Sequence, residues 1–322
     1  SMKVLTWGFL LLLYPHLGPC QSPDIAFDSA GLLKVSEMVR NAEEILVAAK
    51  IGSDDAAKRY SRYVVAQKDQ DTASFGVYGE FPVPWVAALL AHPVITTALG
   101  DQGQHHLLEN SQDCIGDSAD GVCGNSRHKV FVDIGSGMGR LVIGVAGMVA
   151  NSWSQGSRVV GIEATKELAL EGSRLVRYLE GSGAVMPGLV ESLHDDVLNP
   201  RSPATVNALA SADIVFCYST AFPSEDGLRL PDLSAVLIGL LKPGSIVVTT
   251  DKFLVGPRIK FEELVQMTGT DGETIHTFLW RMEKSPFAGG ISAAHEEIRL
   301  RWTGVDACAE SPEACDALMA VI

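Results

Sequence analysis

Positive charge is scarce: 25 Lys and Arg face 39 Asp and Glu, for a formal charge of −14. Phosphate binding needs clustered cations that displace counterions, so this balance speaks against a broad nucleic-acid footprint and favours a basic partner over an acidic one. Long apolar runs are also rare. There is one near the N-terminus, and no other stretch is long and apolar enough to cross a bilayer as a helix. The eight histidines form no paired ligand pattern around the six cysteines, whose spacings are not those of a zinc ribbon, and no structural metal is expected. Internal repeats, long low-complexity segments, a Ser-His-Asp set and a paired-carboxylate signal are likewise missing. A hydrophobic content of 47% with 20% charged residues excludes global disorder and suits a large folded core.

The apolar run that does exist follows Met2-Lys3 and covers 4–14, too short for a comfortable span. With Gly18-Pro19-Cys20-Gln21 behind it, residues 1–22 read as a secretory signal or signal-anchor. The alternatives are a misplaced start and a buried helix. A leader directs the chain to the secretory pathway or an organelle, where the pairs Cys114 with Cys123 and Cys308 with Cys315, each enclosing a short polar loop, suit two local disulfides. Cys20 leaves with the leader, and Cys217 reads as a small buried hydrophobe.

Residues 23–100 read as a helical lead-in, with apolar residues at helical spacing from Leu32 to Leu46 and a second helix over 83–99 opening at Pro84. The polar stretch 101–129 is a surface loop. Over 130–305 the pattern alternates, with strands at 130–133, 158–163, 212–218, 245–250, 274–280 and 296–302 and helices at 139–150, 166–179 and 231–241. Such alternation predicts an α/β fold with a mostly parallel sheet covered on both faces. The last two strands, with no helix between them, should form an antiparallel hairpin. Residues 306–322 make a tail with four acids and no Lys or Arg.

The chemistry concentrates at Asp133-Ile134-Gly135-Ser136-Gly137-Met138-Gly139, between an apolar strand and a helix. Glycines there let backbone approach a ligand, and the helix N-terminus faces it. The spacing is G-x-G-x-G rather than the dinucleotide G-x-G-x-x-G, whose third position is Arg140 here. Glu163 closes the next strand, where a carboxylate can accept two ribose hydroxyls. Asp196 could accept from an adenine amino group while Val197 packs on the ring. The alternatives are a solvated strand end for Glu163 and an ordinary loop carboxylate for Asp196. Together they point to S-adenosylmethionine as methyl donor, with no metal required.

Tyr78-Gly79-Glu80, the run from Phe131 to Arg140, Gly161-Ile162-Glu163, Asp196-Val197-Leu198, Ala221-Phe222 and the run from Leu241 to Val248 resemble, in order, the DOT-one (disruptor of telomeric silencing) histone-lysine methyltransferases. The resemblance spans roughly residues 75–253, and Tyr-Gly-Glu ahead of the glycine motif is its most discriminating part. It implies a seven-stranded class I methyltransferase (Rossmann-like) sheet, mostly parallel with a C-terminal antiparallel hairpin, preceded by a small helical segment. It also implies that Tyr78, Gly79, Glu80 and Phe81 close over the donor. Phe131, Asp133, Gly135, Ser136, Gly137, Gly139 and Arg140 would cradle its amino-acid part, Glu163 its ribose, and Asp196 with Val197 its adenine.

The lysine channel of that family falls at Tyr218, Ser219, Thr220 and Phe222. Here Tyr218-Ser219 stands where the family has an Asn-Asn pair, and hydroxyls of Ser219 and Thr220 replace an amide only in part. Tyr218, Phe222 and Phe253 could line a tunnel for a lysine stem or serve as core aromatics. The acidic tail and the leader both depart from an enzyme that grips nucleosomal DNA; without a working leader the family implies the nucleus. The resemblance therefore implies methyl transfer to a lysine of a basic protein, histone or non-histone. A small-molecule methyltransferase and a binding module without turnover are the other readings.

Overall fold

The computed structural model describes residues 29–49, 81–100, 128–219, 222–224, 227–268 and 274–284. The leader, both expected disulfides, most of the 101–129 loop, the 296–302 strand and the acidic tail lie outside the described residues. Helix α1 (Ser29–Ala48) buries Val35, Met38, Val39, Ala42 and Leu46, a stripe at helical spacing, while Leu33 and Val47 face outward. It lies on α4 (Arg140–Val149), where Gly147 permits the crossing. A Cβ there would sit 2.8 Å from the Asn41 carbonyl oxygen and 3.0 Å from the Ala42 Cα.

The expected helix over 83–99 is two helices, α2 (Val83–Leu90) and α3 (Pro93–Ala98). Pro93 pushes the preceding residue out of the helical region. His92 accordingly has ψ 138°, and its ring nitrogen caps α3 by accepting from the Val94 N–H at 3.3 Å.

Seven strands follow: β1 (Val130–Ile134), β2 (Arg158–Glu163), β3 (Val190–His194), β4 (Ile214–Cys217), β5 (Ile246–Thr250), β6 (Ile259–Thr268) and β7 (Thr274–Met282). They lie in the order β3-β2-β1-β4-β5-β7-β6. The first five are parallel, joined in part by α4, α5 (Lys166–Gly181), α6 (Pro203–Ser211) and α7 (Pro231–Leu240). Strand β7 runs antiparallel to both β5 and β6.

Three elements were not anticipated, β3, α6 and β6. Strand β3 occupies a sheet edge, and its polar Glu191, Ser192 and His194 hide the apolar run that marks the central strands. Helix α6 is short, opened by Ser202 accepting from the Ala204 N–H at 3.2 Å. The expected C-terminal antiparallel hairpin is present, formed by β6 and β7, but the segments assigned to it need correcting. Strand β7 has β5 on one side and β6 on the other, so the partner of 274–282 is the preceding segment 259–268 and not 296–302. A register shift between Phe261 and Glu263 breaks the period-two alternation that would have revealed β6.

Side chains alternate across the sheet. Phe131, Val159, Ile214, Phe216, Ile246 and Val248 pack toward α1, α2, α4 and α5, while Val130, Val132, Ile134, Val160, Ile162, Val215, Cys217 and Val247 pack toward α6 and α7. The Leu241-Lys242-Pro243-Gly244 motif works at the amino-terminal edge. Lys242 Nζ is 2.6 Å from Asp213, whose other oxygen accepts the Val130 N–H at 2.9 Å. This fixes β1 against β4 at the end away from the glycine turn.

Candidate functional site

Parallel pairing brings the carboxyl ends of β1, β2, β4 and β5 to one edge. Ile134 lies beside both Ile162 and Cys217, and Cys217 beside Thr249. The glycine turn leaves that edge, with Gly135, Gly137 and Gly139 at φ 78°, 56° and 82°, values that side chains with a Cβ rarely adopt. Gly135 and Ser136 both donate backbone N–H to the Ile162 carbonyl, and the Gly139 N–H closes on Ser136 at 2.8 Å. Helix α4 then begins at Arg140.

Room for this turn is made by glycines elsewhere, a contribution sequence reasoning had not assigned. A Cβ on Gly161 would lie 2.6 Å from Ser136 Oγ and 2.8 Å from Ser136 Cβ. One on Gly172 in α5 would lie 2.8 Å from Ser192 Oγ and 3.3 Å from the Met138 carbonyl oxygen. A glycine inside the buried run of β2 was the available signal, since it marks close backbone approach.

Glu163 ends β2 with its carboxylate buried. One oxygen accepts the Gly137 N–H and the other the Thr165 N–H, both at 2.8 Å. Each oxygen retains a lone pair. Asp133, on the same sheet face as Phe131, is 4% exposed, and its carboxyl makes no hydrogen bond among the described residues. Burial, reinforced by the charge on Glu163, pushes its pKa up to about 8. The Ser136 hydroxyl is also buried, with no hydrogen-bond partner among the described residues. Two unmatched polar groups beside a glycine turn are costly unless a ligand or water meets them.

The other expected residues are distributed as follows. Phe131 is core, 1% exposed. Arg140 opens α4 half-buried, at the outer end of the turn. Val197 is buried among the α6 and α7 side chains, whereas Asp196 is exposed and one of its oxygens accepts the Leu198 N–H at 3.0 Å. Asp195 is the buried acid of that pair. Burial alone raises its pKa, but N–H groups of Ser202, Arg201 and Asp196 bond the charged form and hold it below the usual carboxylate range. Phe81 is buried edge-on to Trp85, Phe216 and Tyr218, with centroids 5.6, 5.0 and 6.2 Å away. Tyr78, Gly79, Glu80 and Thr220 lie outside the described residues.

Beyond β4, Ser219 is fully buried and fastened to Thr250. Its N–H donates to Thr250 Oγ1, its Oγ accepts the Thr250 N–H, each at 3.0 Å, and its hydroxyl donates to the Thr250 carbonyl. The group expected to face an acceptor instead ties the β4 loop to β5. Half-buried Phe222 places its ring 3.5 Å from where a Gly135 Cβ would be, and its carbonyl accepts Lys252 Nζ at 2.7 Å. Thr250 and Lys252 are thus site residues that motif reading did not reach. Cys217, the described cysteine, is buried, and burial raises its thiol pKa well above the ordinary value.

No group of three or more His, Cys, Asp or Glu able to hold a metal occurs among the described residues, and no described helix is long and apolar enough to cross a membrane.

No protein-family model matches the sequence, and no curated protein matches it. Among solved structures, it is similar to magnesium protoporphyrin IX methyltransferase from Synechocystis at 11% identity and TM-score 0.34, covering 64% of this chain and 90% of that one. It is similar to an arsenic (III) S-adenosylmethionine methyltransferase from Chlamydomonas reinhardtii at 16% identity and TM-score 0.33, covering 60% and 74%. Similarity to TrmN from Thermus thermophilus is at 12% identity and TM-score 0.32, covering 48% of this chain and less than half, 44%, of that one. These likenesses carry no information on substrate. The strand order β3-β2-β1-β4-β5-β7-β6, with β7 alone reversed and the glycine turn after β1, is that of the seven-stranded class I methyltransferase fold.

Proposed function

We propose that this chain transfers a methyl group from S-adenosylmethionine. The observation that carries the reading is the left-handed glycine turn held by the Glu163 carboxylate, with the unmatched Asp133 and Ser136 beside it. These residues fit the donor's chemistry. The remaining lone pairs of Glu163 suit ribose hydroxyls, Asp133 suits a cationic amino group, and Ser136 suits a carboxylate or amino group of the same end. Asp196 keeps an oxygen for an adenine amino group.

S-adenosylmethionine supplies an electrophilic methyl on sulfur, and in-line displacement needs alignment and exclusion of water more than a dedicated acid and base. Phe222 over Gly135, with Phe81 and Tyr218 on the neighbouring side of β4, gives that edge an apolar wall.

For the acceptor we propose a lysine side chain of a basic protein, histone or non-histone. The support is the ordered resemblance to the DOT-one class, including Tyr78-Gly79-Glu80, and the net charge of −14. Radiolabelled donor should be offered to core histones, nucleosomes and a size-fractionated lysate. Label on lysine in protein is the expected outcome; label confined to small molecules would reject the lysine reading and keep the donor reading.

A further inference from the structure

We propose that Lys252 is a positioning residue, which seats Phe222 over the glycine turn and so sets how tightly the donor is held. The inference rests on the donor reading above and adds to it the residues of the β5 end that hold Phe222 in place.

The backbone after β5 is bent in an unusual way. Asp251 has φ 55°, the only left-handed residue other than glycine among the described residues. For a residue with a Cβ this conformation is strained and persists only where surrounding bonds enforce it. Here they do. The Asp251 N–H donates to the His276 carbonyl at 2.7 Å, and the Asp251 carboxylate accepts the His276 N–H at 3.0 Å. The Lys252 N–H closes on the Thr250 carbonyl at 2.7 Å, and the Lys252 carbonyl accepts from Thr249 Oγ1, itself held by Trp280 Nε1 at 2.9 Å.

This turn directs the lysine stem toward the end of β4. Nζ meets the Phe222 carbonyl at 2.7 Å, thirty residues back in sequence, and burial lowers its pKa. The Phe222 N–H is bonded to Ser219, and Ser219 is fastened to Thr250, so two ties hold the β4 loop to β5. The Ser219 tie fixes the start of the loop. The Lys252 tie fixes Phe222 itself, whose ring covers Gly135. The bond ends on a loop carbonyl outside the sheet ladder, so its loss should release the ring locally without unfolding the strands beneath.

The test uses the full chain with Lys252→Met, Lys252→Arg, Phe222→Ala and the Lys252→Met/Phe222→Ala pair, comparing thermal midpoints, hydrogen exchange of the peptide containing Phe222, and calorimetric binding of S-adenosylmethionine. Lys252→Met is expected to keep the midpoint, speed exchange around Phe222 and weaken binding about tenfold or more. Lys252→Arg should restore both, and the pair should bind no worse than Phe222→Ala alone. Exchange unchanged in Lys252→Met overturns the seat. Faster exchange with undiminished binding overturns the positioning role. If wild type shows no binding while exchange responds to Lys252, the donor reading fails and the seat stands.

Discussion

Glu163 accepts the Gly137 N–H at 2.8 Å, joining the end of β2 to the middle of the turn after β1. One side chain therefore shapes the turn and, in the function proposed above, holds the donor's ribose. Glu163→Gln keeps the size but turns one acceptor into a donor that opposes the N–H of Gly137 or Thr165. Donor affinity should fall about tenfold or more, with a loss of about 1–3 kcal/mol in stability, measured by calorimetry and denaturant unfolding. Wild-type affinity in the variant would contradict the role given to Glu163.

Gly161 should tolerate no methyl. In Gly161→Ala the new Cβ meets Ser136 Cβ at 2.8 Å, an atom rigidly tied to the turn, so rotating the hydroxyl away does not relieve the clash. Overpacking of this kind costs about 1–3 kcal/mol and should displace the turn. Adding Ser136→Gly should return much of the stability. A Gly161→Ala protein as stable as wild type would show that the turn does not rest on β2.

Asp133 gives the apo protein a pH dependence of definite sign. The folded chain keeps its proton up to about pH 8, against an ordinary value of 3.8, so between those limits the native state binds more protons than the unfolded state. Stability contributed through this group is therefore lost as pH rises across that window. Thermal midpoints between pH 5 and pH 8 should fall more steeply for wild type than for Asp133→Asn. Parallel curves would place the raised titration elsewhere.

The same carboxyl should couple donor binding to proton release, because a cation beside it favours the charged form. Calorimetry near pH 7 in two buffers of different ionisation enthalpy should give different heats for wild type and matching heats for Asp133→Asn. Matching heats for wild type would argue that no cationic group of the ligand reaches Asp133.

The glycine turn and its flanking strands were legible because one local segment carries them: β1 and β2 are apolar runs and the turn is written in glycines. Strand β3 and β6 were not, since an edge strand and a bulged hairpin break the patterns that reveal buried strands. Within the site, Glu163 could be read from its place at a strand end. Lys252 could not, because its contact with Phe222 spans thirty residues and depends on the left-handed Asp251, which no local pattern announces. Ser219 was legible as part of a motif, but its engagement with Thr250 is a tertiary fact.

The central claim is that the turn from Asp133 to Gly139 holds S-adenosylmethionine, and calorimetric titration of the donor into wild type and Gly137→Arg tests it most directly. Gly137 has φ 56°, where arginine is strained, and in the donor reading its side chain would take the ligand's place. The account predicts saturable binding by wild type and none by the folded variant. No binding by folded wild type, or unchanged affinity in Gly137→Arg, would contradict it.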